Sequence, residues 1–150
     1  MEYHDKKTLD EFDFTIISSQ GELFDWYASS EVDFEQFIVA FMHSDFCNRH
    51  LDAECDYEQL RGYLPWIETV NDEVNINSLF IPNRTPKMMD SFSNDIGSLY
   101  RMFQRATLYS SSSIIDKVPI AEVIKIAIDL ETAGNFNDAI ETMMQIYKSN

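Results

Sequence analysis

Between Met89 and Ala106 the apolar residues Met89, Phe92, Ile96, Leu99, Phe103 and Ala106 recur at intervals of three and four, the period of one face of an α-helix. The same spacing returns at Phe34, Phe37, Ile38, Phe41 and Met42, and again at Ile120, Val123, Ile124, Ala127 and Leu130. Three such stripes commit the chain to a mainly α fold. At 150 residues it is one domain by length, and five or six helices account for it. At most one short β element is expected, near 74–81, where Val74, Ile76 and Leu79-Phe80-Ile81 read as a strand or an extended arm before Pro82 and Pro86.

Local signals divide the chain further. Phe12, Phe14 and Ile16 alternate, a weak strand signal, whereas Thr8-Leu9-Asp10-Glu11 resembles a capping box that would start a helix there. Ser19-Gln20-Gly21-Glu22 is a second capping box, opening a short helix to about residue 28. In it Leu23, Phe24 and Tyr27 share a face and leave Trp26 on another, either buried against a third helix or exposed. Ser30, with Asp33 at the third helical position, opens the helix that carries the phenylalanine stripe. The third helix is expected over 52–63, with Tyr57, Leu60 and Leu64 inward and Pro65 closing it. Thr85-Pro86 begins a long helix to about residue 109, with Arg101 and Arg105 one turn apart on its surface. Ser110 to Ser113 make a break, Pro119 starts the next helix, Gly134 ends it in the left-handed C′ role, and 137–148 form the last. The organisation expected is thus an acidic, aromatic-rich helical half (1–64), an irregular connector (65–85), and a long helix with a C-terminal hairpin (86–150).

Charge narrows the function. From Thr8 to Asn48 there are 41 residues without a lysine or arginine, among them nine carboxylates and nine aromatic rings. Residues 1–75 hold 18 acids against four bases, a net of −14, while residues 76–150 hold eight against seven, a net of −1. So few cations disfavour binding to a nucleic-acid backbone, which needs Lys/Arg to replace released counterions, and to an anionic membrane surface. No run is long enough to span a bilayer, and the N-terminus lacks the apolar core of a signal peptide. Two cysteines, Cys47 and Cys55, are too few to staple a secreted fold. A cytoplasmic, reduced protein is expected; in an oxidising compartment a Cys47–Cys55 bridge is sterically conceivable.

Chemistry-bearing constellations are few. His43-x3-Cys47-x2-His50-x4-Cys55 offers two imidazoles and two thiols, donors that zinc accepts. Its spacing lacks the close ligand doublets of structural zinc sites, and no metal or cofactor is assigned. Cys47 with His43 or His50 and Asp45 can be drawn as a nucleophile triple, as chance allows in any chain of this size. The four glycines lie far apart and form no phosphate loop, and no nucleophile elbow is present. The chain therefore reads as a binding protein rather than an enzyme. A cluster of carboxylates without cations steers a basic partner to fast association, and tryptophan among them suits an interface anchor. The candidate partner-binding residues are Asp25, Trp26, Glu31, Asp33 and Glu35.

Two resemblances add to this. Counted from Gly134, Ala127 and Ala139 fall on the small-residue positions and Phe136 on the aromatic position of a tetratricopeptide repeat, and Gly-Asn-Phe-Asn-Asp-Ala-Ile-Glu reads like the start of its second helix. Residues 120–150 thus resemble one such helical hairpin, departing at Val123, where that family prefers a large aromatic. In size, acidity and lack of catalytic motif, the whole chain resembles as a class the immunity proteins that bacteria make against polymorphic or contact-dependent growth-inhibition toxins. That resemblance implies a cognate, basic, nuclease-type toxin domain as partner, its active site covered by the carboxylates. Acidic secretion chaperones, which dimerise through mixed α/β folds, and nucleic-acid-mimicking inhibitors share the composition.

Overall fold

The computed structural model describes residues 7–132 and 134–150. Helix α1 (Glu11–Ala28) starts where Asp10 accepts from the Asp13 N–H (2.8 Å) and Asp13 accepts from the Asp10 N–H (3.1 Å), a reciprocal capping box. The strand alternative for 12–16 is therefore overturned, and Ser19-Gln20-Gly21-Glu22 lies mid-helix and caps nothing. Helix α2 (Phe34–His43) is capped by Asp33 itself, whose carboxylate accepts from Gln36 N–H at 3.1 Å. Ser30, expected in that role, instead donates its hydroxyl to the Trp26 carbonyl (2.7 Å) and closes α1. Phe34, Phe37, Ile38, Phe41 and Met42 are all buried, as their spacing requires.

The third element departs most from expectation. A π-helical turn, Phe46–Leu51, and a 3-10 turn, Tyr57–Leu60, precede α3 (Tyr63–Glu73). Gly62 sits at φ +85° and breaks any continuous helix over 52–63. Gln59 takes the buried place in that turn, while Tyr57, Leu60 and Leu64 face solvent rather than the core. Pro65 lies in the first turn of α3 instead of closing a helix, because the first N–H groups of a helix have no intrahelical partner to lose. Trp66 is buried in α3, so half of the expected connector is helical.

Beyond α3 a 3-10 turn (Ile76–Leu79) leads to Phe80, which forms an antiparallel bridge with Val32, the one β pairing among the described residues. A second 3-10 turn (Met88–Phe92) takes up the first part of the expected long helix, leaving α4 as Ser93–Thr107. Ser110 begins rather than interrupts a helix: its hydroxyl caps α5 (Ser111–Lys117) through the Ser113 N–H (3.2 Å). Helices α6 (Ile120–Thr132) and α7 (Phe136–Ser149) form the C-terminal hairpin, with Ala127 and Ala139 both buried. The Gly134 N–H reaches back to Asp129 O (3.0 Å), a six-to-one closure that puts Gly134 at C″. The C′ position lies outside the described residues. Among the described residues there are seven α-helices, against the five or six expected, in the mainly α fold that the stripes require, with one continuous apolar core.

Helices α1 and α4 form the central pair. Asp25 meets Ser93, Gln20 meets Gly97 and Arg101, and Asp13 meets Arg105, so residue numbers rise along one helix as they fall along the other and the pair is antiparallel. Their approach is close because glycines stand at the contact. A Cβ on Gly97 would lie 2.8 Å from Gln20 O and from the Phe24 ring, and one on Gly21 would lie 2.6 Å from Ser98 Oγ.

Arg101 and Arg105, expected on the surface, are the two most consequential buried residues. Arg101 donates to Gln20 Oε1 (2.7 Å), Asp52 Oδ1 (2.6 Å), Gln104 Oε1 (2.9 Å) and Cys47 Sγ (3.0 Å). Arg105 donates to Asp13 Oδ1 (2.8 Å) and to the carbonyls of Leu51 (3.4 Å), Ala53 (2.6 Å) and Glu54 (3.2 Å). Asp52 in turn accepts the Ser111 N–H (2.7 Å) and hydroxyl (2.6 Å), which ties the arginine to the start of α5.

Removing one member of a buried, fully bonded ion pair leaves the other charged and desolvated, at a cost of about 3–5 kcal/mol. Asp52→Ala is therefore expected to lower unfolding free energy in urea by about that amount. A loss below about 1 kcal/mol, the range of exposed pairs, would show that Arg101 does not depend on Asp52.

Candidate functional site

Along α1, Glu11, Thr15, Ser18, Glu22 and Trp26 succeed one another at intervals of three and four, with Phe14 beside them, and all are exposed. The opposite face, from Asp13 through Gln20 to Tyr27, is buried against the core. Trp26 is 46% exposed, which excludes its burial against another helix. Its neighbour Asp25 is half-buried and accepts from the hydroxyl of Ser93 and from Asn94 Nδ2 (3.0 Å), so it holds the first turn of α4.

The α1–α2 turn carries the remaining candidates. Glu31 is exposed and its carboxylate accepts the Asn83 N–H, while its carbonyl accepts from Ile81 N–H (2.9 Å). Asp33 caps α2, its N–H bonded to Leu79 O (2.8 Å). Glu35 is exposed in the first turn of α2. Arg84, largely buried, donates to the carbonyls of Ala28 and Ser30 and to Asp90 (2.9 Å), which clamps the 80–90 arm under this turn. Folding thus brings Trp26, Glu31 and Asp33 to the corner where α1 gives way to α2, makes Asp33 the cap of α2 and bonds Asp25 to the side chains of Ser93 and Asn94.

Pairing decides how acidic that corner is. Lys7 bonds Asp13 (2.9 Å), Arg49 bonds Asp45 (3.6 Å), Arg61 bonds Glu58 (2.9 Å) and Lys125 bonds Glu122 (3.4 Å). Lys117 stands 4.7 Å above the Tyr147 ring. Among the described residues no lysine, arginine or histidine pairs with Glu11, Glu22, Glu31, Asp33 or Glu35. Burial would raise the Asp13 carboxyl, but hydrogen bonds from Lys7, Arg105 and the Asp10 N–H hold it below the ordinary range, so the buried arginine faces a carboxylate.

The thiol–imidazole constellation is dispersed. Cys47 is buried and its thiol is pushed up to about 11 by desolvation, with Arg101 lowering it only in part. His43 pairs with Asp116 (3.0 Å) and His50 with Asp56 (3.0 Å), and Cys55 is exposed and free. Among the described residues, no group of three or more His, Cys, Asp or Glu side chains gathers to hold a metal ion. No described helix is long and apolar enough to cross a membrane.

Sequence reasoning passed over two features. A cleft of about 360 Å³ lies between the segment before α1, α4 and α7, lined by Leu9, Phe14, Met102, Phe136 and Ile140 among others. The second is a carboxyl pair, Asp95 in the first turn of α4 and Glu131 in the last turn of α6. Desolvation, then the Glu131 charge and hydrogen bond, and then the Asp25 charge raise the Asp95 carboxyl above its ordinary value. Separation of 36 positions hid the pair from any local pattern. Comparison with protein-family models, with curated proteins and with solved structures returned no significant match.

The Asp95 shift has a definite sign. A carboxyl whose folded value is raised above 3.8 costs nothing while protonated in both states, and destabilises as pH rises through the raised value. Glu131 also places a negative charge at a helix C-terminus, which is unfavourable by itself. Glu131→Gln removes both costs and leaves an amide that donates to Asp95. Its melting temperature is expected to rise by roughly 2 °C at neutral pH, with the part of the gain that comes from Asp95 vanishing once Asp95 is protonated. A gain independent of pH, or a loss at neutral pH, would contradict the raised Asp95 carboxyl.

Proposed function

We propose that this chain is a stoichiometric binding protein that neutralises a basic protein partner, with a toxin-immunity role against a nuclease-type bacterial toxin as the specific form. One observation carries the reading. Among the described residues Arg84, Arg101 and Arg105 bond inward and Lys7, Arg49, Arg61 and Lys125 bond other carboxylates, which leaves the exposed face of α1 and the α1–α2 turn acidic around Trp26. A toxin that cleaves nucleic acid needs lysine and arginine at its substrate cleft, and such a cleft is complementary to this surface in charge. In this reading Trp26 is the anchor, Glu31 and Glu35 meet the toxin's cations, and Asp25 and Asp33 shape the corner. The lack of a sheet among the described residues does not favour the mixed α/β chaperone alternative.

The test is binding to the purified product of the reading frame adjacent to this protein's gene, followed by calorimetry at two salt concentrations. Trp26→Ala combined with Glu31→Lys and Glu35→Lys is expected to weaken binding by roughly 100-fold, in line with the loss of one anchor and two charge contacts. Asp25 and Asp33 stay unchanged so that the contacts to Ser93 and Asn94 and the α2 cap survive. Unaltered affinity and unaltered salt dependence in this variant would remove the acidic-corner account.

A further inference from the structure

A second surface stands apart from that corner. Tyr57, Leu60 and Leu64 are 77%, 60% and 60% exposed, among the most exposed large apolar side chains described. In a 3-10 turn side chains three apart eclipse one another, so Tyr57 and Leu60 stand on one side. Gly62 at φ +85° then redirects the chain, and Leu64 follows in the first turn of α3.

The backbone beneath them is held firmly. Between Tyr57 and Leu60, buried Gln59 donates to the carbonyls of His50 (3.1 Å), Leu51 (3.2 Å) and Ala53 (2.7 Å). Asp56 accepts the Glu58 N–H (2.8 Å) and its own N–H bonds Gln59 Oε1 (3.1 Å). The buried Trp66 indole donates to the Glu58 carbonyl (2.7 Å). Apolar side chains on such a support lose little further backbone freedom when they bind, which is what an interface hot spot requires.

Charge selects the occupant. Over residues 51–83 Arg61 is the sole lysine or arginine and is bonded to Glu58 at 2.9 Å; of the seven carboxylates there, Asp52 is taken up by Arg101 and Asp56 by His50. Glu68 and Tyr57 both lie within electrostatic reach of Arg61, which sets an acid near the Tyr57 side chain. Glu68 is exposed, as is Glu54 before the turn. A second copy of this chain would bring like charges together, whereas a segment with apolar side chains on one face and cations beside them fits both features. We infer that the Tyr57–Leu60–Leu64 ledge docks an amphipathic, basic helical segment of a partner protein. This rests on the basic partner proposed above and adds a contact separate from the Trp26 corner.

The probe is a fluorescein-labelled peptide of about 18 residues, roughly five helical turns, with leucine at one helical face and lysine elsewhere. Controls are a scrambled peptide and one with glutamate in place of lysine. Fluorescence anisotropy is expected to show binding that weakens about tenfold on Tyr57→Ser with Leu60→Ser and Leu64→Ser, with an unchanged melting temperature. Trp26→Ala with Glu31→Gln and Glu35→Gln should leave peptide affinity within about twofold, as for independent sites. Amide shift changes should fall within residues 54–68. No binding by the native chain, equal binding by the serine variant, equal binding by the scrambled peptide, or shifts centred on α1 would each overturn the ledge. Sedimentation showing a dimer that the serine variant loses would also overturn it, by assigning the ledge to a second copy. Equal binding of the glutamate peptide at the same amides would overturn the basic occupant while leaving the apolar ledge, and so is distinguishable from failure of the ledge itself.

Discussion

Everything else in the molecule is arranged around two arginines that sit in its centre. Residues 46–56 do not form a regular helix, so their carbonyls lack the usual i+4 partners. Arg105 and Gln59 supply the missing donors to His50, Leu51, Ala53 and Glu54, which answers where that segment's backbone hydrogen bonds go. Arg101 secures the same segment through Asp52 and Cys47 and joins it to α1 and α5. Burying two guanidinium groups is unfavourable unless every donor finds an acceptor. Here carboxylates, amide oxygens and carbonyls meet both, and the apolar core closes over them.

This clamp also has an electrostatic consequence. In a chain with 11 lysines and arginines against 26 acids, each cation drawn into the interior is one fewer to offset the surface. Arg84 follows the same rule on a smaller scale beneath the α1–α2 turn. The interior is therefore polar in places and the exterior unusually acidic, and the two facts have one cause. Solubility accounts for some of that acidity. The exposed Trp26 and the rigid ledge at Tyr57, Leu60 and Leu64 are not explained by solubility, since each leaves apolar area in water.

How much of this was legible in the sequence depends on whether local spacing or distant contact decides a residue's place. The α2 stripe and the start of α6 after Pro119 were readable because a single apolar face and its cap are local features. Arg101 and Arg105 were misplaced because one-turn spacing describes an exposed face and a buried one equally well. What distinguishes them is Asp13 and Asp52, tens of residues away in the chain. Tyr57, Leu60 and Leu64 were assigned inward on apolar character, but Gly62 breaks the helix that would have turned them in, and Gln59 has three carbonyls to satisfy where they would have packed. Of the candidate site, Glu31 and Glu35 were legible as exposed acids in a cation-free stretch, whereas Trp26 stood open between burial and exposure. The contacts of Asp25 to Ser93 and Asn94 were not legible, because those partners lie far along the chain.

The central claim is that folding turns cations inward and gathers an uncompensated acidic face along α1 and the α1–α2 turn. Paramagnetic relaxation of amide protons by a cationic and by an anionic nitroxide cosolute reports local potential residue by residue. The account predicts that amides of Glu11, Thr15, Ser18, Glu22, Trp26 and residues 31–35 relax several-fold faster with the cationic probe, a potential of a few kT, and that α5 shows a much smaller ratio. Equal ratios over α1 and α5 would mean that the carboxylates are scattered and that the acidic face does not exist.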